Sequence, residues 1–117
     1  MRETPKQGEV WQVRLDPGIG SEMGKTRPCL VVSSPNVGRL PLCIIVPMTD
    51  WKDSFCAYSW MTRLDPNAEN GLSKVSAADG FQVRSVSTLR FTEKLGGVSI
   101  EELKEIEATV RIAIETP

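Results

Sequence analysis

The chain has 117 residues, 40% of them hydrophobic and 25% charged, with 14 Lys and Arg against 15 Asp and Glu. That length supports one domain spanning residues 1–117 with a single core, the composition excludes a disordered chain, and no apolar run approaches the roughly 20 residues of a membrane-spanning helix. No stretch resembles a signal peptide, so a cytoplasmic location is expected.

In chain order, EVWQVRL (9–15) alternates Trp11, Val13 and Leu15 against Val10, Gln12 and Arg14, which predicts a half-buried strand. A turn rich in glycine and charge follows. PCLVVSS (28–34) and PLCIIVPMT (41–49) are almost wholly apolar and β-branched, as central strands are. AYSWMTRL (57–64), LSKVSAA (72–78) and FQVRSVS (81–87) alternate again and predict three more strands. Between them stand the turn signals Asp16-Pro17-Gly18, Pro35-Asn36, Asp65-Pro66-Asn67, Glu69-Asn70-Gly71 and Asp79-Gly80. The period changes only at the end. Ser99 with Glu102 forms a capping box, and Leu103, Ile106, Val110, Ala113 and Ile114 recur at helical steps. The expected architecture is mainly β, a barrel-like antiparallel sheet with a C-terminal amphipathic helix of about four turns across one face or end. Ile112 falls opposite the apolar stripe, where it marks either a second buried surface such as a partner subunit or a lone exposed residue. Trp11 and Trp60 are expected in the core.

Cys29, Cys43 and Cys56 share no close spacing and the chain has no histidine, which argues against a zinc site, a histidine acid or base and a cysteine nucleophile. All three cysteines are expected to be reduced thiols, with Cys29 and Cys43 inside the core. No cofactor is expected. Charge is unevenly spread: residues 1–90 carry 11 basic and 9 acidic side chains, residues 91–117 carry 3 and 6. A polyanion would meet the first part of the chain.

The turn GSEMGKTRP (20–28) is the richest local signal. Its glycines permit a close backbone approach. Pro28 biases Arg27 to extended geometry at the mouth of a central strand, where a planar, bidentate donor suits a phosphate. The same residues also fit a surface arginine that does no more than cap a turn.

With those pieces in place, the sequence resembles the MazF/PemK toxin endoribonucleases over nearly its whole length. The resemblance is carried by GEVWQVRLDPGIGSEMGKTRPCLVV (8–32), IIVPMT (44–49), FQVRSVS (81–87) and LGGVSIEELKEIEATVRIAI (95–114). It implies an SH3-like antiparallel β-barrel with a C-terminal amphipathic α-helix, working as a homodimer. It also implies metal-independent cleavage of single-stranded messenger RNA at short motifs, by attack of a 2′-hydroxyl to leave a 2′,3′-cyclic phosphate and a 5′-hydroxyl. Carried over by position, Arg27 and Thr49 are the catalytic pair, and Glu22 is a supporting carboxylate that orders the loop or Arg27 rather than moving a proton. Lys25, Trp51, Gln82 and Arg84 would contact RNA, with Trp51 stacking a base and Gln82 and Arg84 sharing one strand face. One departure is visible: many members place an acid directly before this glutamine, whereas here the residue is Phe81 and the nearest acid is Asp79. The partner implied is a cognate antitoxin whose acidic C-terminal segment occupies a groove formed by Lys25, Arg27 and Arg84. Two other readings fit a related fold: a gyrase-binding toxin of the CcdB type, against which the tail IAIETP and the retained Arg-Pro and Thr weigh, and a non-catalytic barrel that binds RNA or a peptide.

Overall fold

The computed structural model describes residues 4–115. Seven antiparallel strands are present: β1 Glu9–Arg14, β2 Thr26–Val31, β3 Leu42–Asp50, β4 Met61–Leu64, β5 Ser76–Asp79, β6 Arg84–Ser87 and β7 Phe91–Gly97, followed by helix α1 Ile100–Ile114. They are ordered β4-β5-β3-β2-β1-β7, with β6 also on β3. The strand β3 is the seam of this curled, barrel-like sheet. Along one edge it pairs β2 through Ile45–Pro47. Its other edge is shared: Leu42–Ile45 pair β6, and Met48–Asp50 pair β5.

Burial on both faces explains the apolar stretches Cys29–Val31 of β2 and Ile45–Met48 of β3. Val10, Leu30, Val46 and Met48 join Leu64, Ala78, Leu103 and Ile106 in one cluster beneath α1. The alternating residues Trp11, Val13, Cys29, Val31, Cys43 and Ile45 join Leu15, Val86 and Phe91 in another. From Ile45 to Met48 both faces of β3 are buried and no polar face is needed, whereas Leu42 and Ile44 in its first half are apolar yet exposed, at 48% and 36%.

Several expected boundaries shift. The strand expected over 57–64 begins only at Met61, because Asp53–Ala57 form a 3-10 helix. The strand expected over 72–78 begins at Ser76. Within the strand expected over 81–87, Gly80–Gln82 form a 3-10 turn capped by the Asp79 side chain, and β6 starts after it. The strand β7 was not anticipated: after buried Phe91 its residues Thr92, Glu93 and Lys94 are all exposed, and two glycines end it, so no alternation marks it. The Ser99–Glu102 capping box is present with both hydrogen bonds. Leu103 and Ile106 are buried, but Ile114 is exposed, and Thr109 takes a buried place by returning its hydroxyl to the Ile106 carbonyl at 2.6 Å. Ile112 is 46% exposed. Trp11 is buried against Phe91, whereas Trp60 is partly exposed and stacks flat on Tyr58 at 4.9 Å. Cys29 and Cys43 are buried, Cys56 is exposed, and all three are free. Among the described residues no helix is long and apolar enough to cross a membrane.

Candidate functional site

The β1–β2 connection is a folded loop held by its own charges. Asp16 Oδ1 accepts the Lys25 N–H at 2.6 Å, and Leu15 donates to the Lys25 carbonyl at 2.8 Å. These bonds close the loop across its base and hold Lys25 at a φ of 63°. Gly24 lies so near the Asp16 carboxylate that a Cβ there would sit 2.6 Å from Oδ1, and a side chain at this position would push that carboxylate away. Glu22 Oε1 accepts the Ile19 N–H at 2.9 Å. The Glu22 carboxylate is thus bonded within the loop tip.

Arg27 leaves the loop at the start of β2. Its Nε donates to the Gly24 carbonyl at 3.0 Å, and its Nη1 lies 3.4 Å from Thr49 Oγ1 at the end of β3. The register places Cys29 opposite Pro47, so stepping two residues outward along both strands brings Arg27 and Thr49 side by side. They border a cleft of about 220 Å³ with Gln12, Ser76 and Lys74 among its walls. Lys74 pairs with Asp50 at 3.6 Å. Gln12 was missed from sequence, where it is merely a polar position in β1. Its Oε1 is buried without a hydrogen-bond partner, and it lies opposite Pro28 in the β1–β2 register.

Gln82 and Arg84 do not share a strand face, because Gln82 sits in the 3-10 turn and Arg84 begins β6. Both ends of the Gln82 amide are engaged by the loop: Oε1 accepts the Met23 N–H at 2.7 Å and Nε2 donates to the Ser21 carbonyl at 3.2 Å. Arg84 lines a second cleft, of about 490 Å³, with Ser21, Glu22, Phe81 and Gln82. Arg27 thus borders the first cleft and Arg84 the second. Both cations nevertheless act on Cys29. Burial pushes that thiol up to about 12, against the pull of Arg84 and Arg27, and a thiol so held is no nucleophile.

Trp51 is partly buried, meets Phe55 edge-on at 5.8 Å, and carries the Arg63 guanidinium 5.7 Å from its ring centre. Asp79, the acid nearest Gln82 in sequence, is buried and turned to the backbone, where its Oδ1 accepts the Phe81 N–H at 3.0 Å. Burial raises its pKa above the ordinary carboxylate value, although backbone bonds from Phe81 and Gln82 oppose the shift. Among the described residues no three His, Cys, Asp or Glu side chains are grouped to hold a metal ion.

The PemK-like, MazF-like toxins of type II toxin–antitoxin systems match residues 6–114 of the chain. A Mycobacterium tuberculosis protein, endoribonuclease MazF9, is 30% identical over 94% of this chain and 96% of its own. Endoribonuclease EndoA from Bacillus subtilis is 25% identical over 93% of each. Among solved structures, MazF from Deinococcus radiodurans matches with a TM-score of 0.78 at 24% identity, covering 98% of this chain and 100% of that one. A MazE–MazF structure from the same organism matches at 0.72 and 24% identity, covering 99% and 100%.

Proposed function

Since the chain belongs to the PemK-like, MazF-like toxin family, we propose that it is an endoribonuclease toxin that cleaves single-stranded RNA at the Arg27–Thr49 cleft. The observation that carries this reading is the 3.4 Å approach of Arg27 Nη1 to Thr49 Oγ1. Two side chains 22 residues apart in sequence bring a cation and a hydroxyl to one point, a pair of donors suited to a phosphodiester.

The chemistry follows from the substrate. A ribose 2′-oxygen attacks the adjacent phosphorus and gives up its proton, the bond from phosphorus to the 5′-oxygen breaks, and the departing 5′-oxygen takes a proton. The products are a 2′,3′-cyclic phosphate and a 5′-hydroxyl. Because the nucleophile belongs to the RNA, the reaction proceeds without a metal and without a serine or cysteine nucleophile. Negative charge grows on the non-bridging oxygens, and Arg27 stabilises it from a guanidinium already oriented by the Gly24 carbonyl. Thr49 Oγ1 donates to one of those oxygens or positions the 2′-hydroxyl. Glu22 and Gln82 hold the loop beside the reacting phosphate, while Lys25, Arg84 and Trp51 contact the rest of the strand. Asp79 has no part in proton transfer, since its carboxylate is spent on capping the turn.

In this reading the working unit is a cytoplasmic homodimer, neutralised by an antitoxin with an acidic C-terminal segment. The MazE–MazF structure from Deinococcus radiodurans and a mycobacterial endoribonuclease solved with its cognate antitoxin, both of this fold, support an antitoxin partner. The test is to incubate the purified protein with a long single-stranded RNA in EDTA and map the ends. Recurrent cuts bearing 2′,3′-cyclic phosphates are expected. Intact RNA, or cutting that requires added magnesium, overturns the reading.

A further inference from the structure

Phe81 is the most exposed aromatic side chain among the described residues, 70% accessible, yet its mount is rigid. The preceding Gly80 is pressed against Thr109 of α1, where any Cβ would collide, and its N–H donates to the Trp60 carbonyl at 2.9 Å. The Phe81 N–H is held by Asp79 at 3.0 Å, and the next residue, Gln82, is tied to the loop through both amide atoms. A large apolar ring is thus kept in solvent by a backbone with little freedom to withdraw it. Trp60 meets it at 67° with ring centres 6.4 Å apart, and an edge-to-face contact covers at most one of its two faces.

The ring forms a wall of the cleft that holds Arg84, Gln82, Glu22 and Ser21. An open π-face beside a guanidinium and polar side chains matches a flat base attached to an anionic backbone, the combination by which proteins hold single strands. An apolar peptide anchor would instead favour the cleft of about 370 Å³ that Phe81 also lines, with Trp60, Ile112 and Ala113. The location of Arg84 favours the nucleic acid. We propose that Phe81 is a base-stacking residue of the RNA site, with Arg84 holding a phosphate of the same strand. This rests on the ribonuclease reading above and adds to it a place where base identity is weighed.

The experiment uses a non-cleavable 2′-O-methyl RNA carrying 2-aminopurine at successive positions, with Phe81→Ala, Phe81→Leu and Phe81→Trp beside the wild type. Wild type and Phe81→Trp are expected to quench one position selectively. Phe81→Ala and Phe81→Leu should lose that quench, bind about 10-fold more weakly, and shift the preference for the base at that position, since stacking is lost with the ring and not with apolarity. Thermal melting checks that each variant folds. If Phe81→Leu performs like the wild type, or if Phe81→Ala loses affinity for a synthetic acidic antitoxin peptide and none for RNA, the ring is an apolar anchor and the inference is overturned. A wild type that cuts RNA beside an unaffected Phe81→Ala sinks the inference alone; a wild type that neither binds nor cuts RNA sinks the ribonuclease reading as well.

Discussion

The Gln82 amide oxygen accepts the Met23 N–H at 2.7 Å, tying the short turn before β6 to a loop 59 residues earlier in the chain. With the second bond from Gln82 Nε2 to Ser21, one side chain replaces the strand pairing that this loop lacks. Gln82→Ala should lower kcat/KM for RNA by about 10-fold through loss of loop order, and amide exchange at Ser21–Met23 should speed up. Gln82→Glu keeps an acceptor for Met23 and should fall between the two. Unchanged exchange in Gln82→Ala would show that the loop stands without it.

Arg27→Ala and Thr49→Ala should each reduce cleavage by at least about 100-fold, the scale for removing one preorganised donor. Arg27→Lys should not recover the activity, because an ammonium cannot bond the Gly24 carbonyl and reach Thr49 in one plane as the guanidinium does. Single-turnover assays at saturating RNA measure the loss, and wild-type rates in either alanine variant would remove the pair from the chemistry.

Asp79 gives a pH signature. Burial raises its folded pKa above the ordinary 3.8, so the folded state favours the protonated form. Its stabilising contribution is complete below 3.8 and is lost as pH rises through the raised value. Asp79→Asn keeps an oxygen for the Phe81 N–H and never ionises. Its stability relative to wild type should therefore improve as pH climbs from below 4 towards neutrality, read from melting temperatures across that range. A difference in melting temperature that is flat with pH would contradict this.

An acidic antitoxin peptide and a non-cleavable RNA should displace one another, and both should bind more weakly as salt rises, since both draw on Arg27 and Arg84. Arg84→Gln should weaken both ligands and flatten both salt dependences. Independent, simultaneous binding in a competition titration would place inhibition at another surface.

What the sequence revealed and what it concealed divide along physical lines. The strands β1, β2 and β3 were legible because burial dictates their residues, and the α1 start was legible because Ser99 and Glu102 satisfy orphan amides in a stereotyped way. Arg27 and Thr49 were nominated by resemblance. The 3-10 turn at Gly80–Gln82 was hidden because it depends on the Asp79 side chain reaching Phe81, a local bond that outcompetes the alternating pattern read over 81–87. The edge strand β7 was hidden because its pairing with β1 is backbone to backbone and places no demand on its exposed side chains. Gln12 was hidden because its neighbours at the cleft come from β2, β3 and the segment before β5.

The double pairing of β3 has a consequence for the order in which the molecule can come together. Thr49 is pinned through its opposite residue Ala77 in β5, and the first half of the same strand waits for Arg84–Ser87. A growing polypeptide that has already emitted both Arg27 and Thr49 holds the β2–β3 pairing that sets them side by side but still lacks the strands that hold the other edge of β3, and such distant pairings assemble late and slowly. The cleft lacks one wall until Leu72–Ser76 have been made, and β3 is held along its whole length only once the chain extends beyond residue 87, so a fragment that ends before Leu72 carries Arg27 and Thr49 without the wall that encloses them.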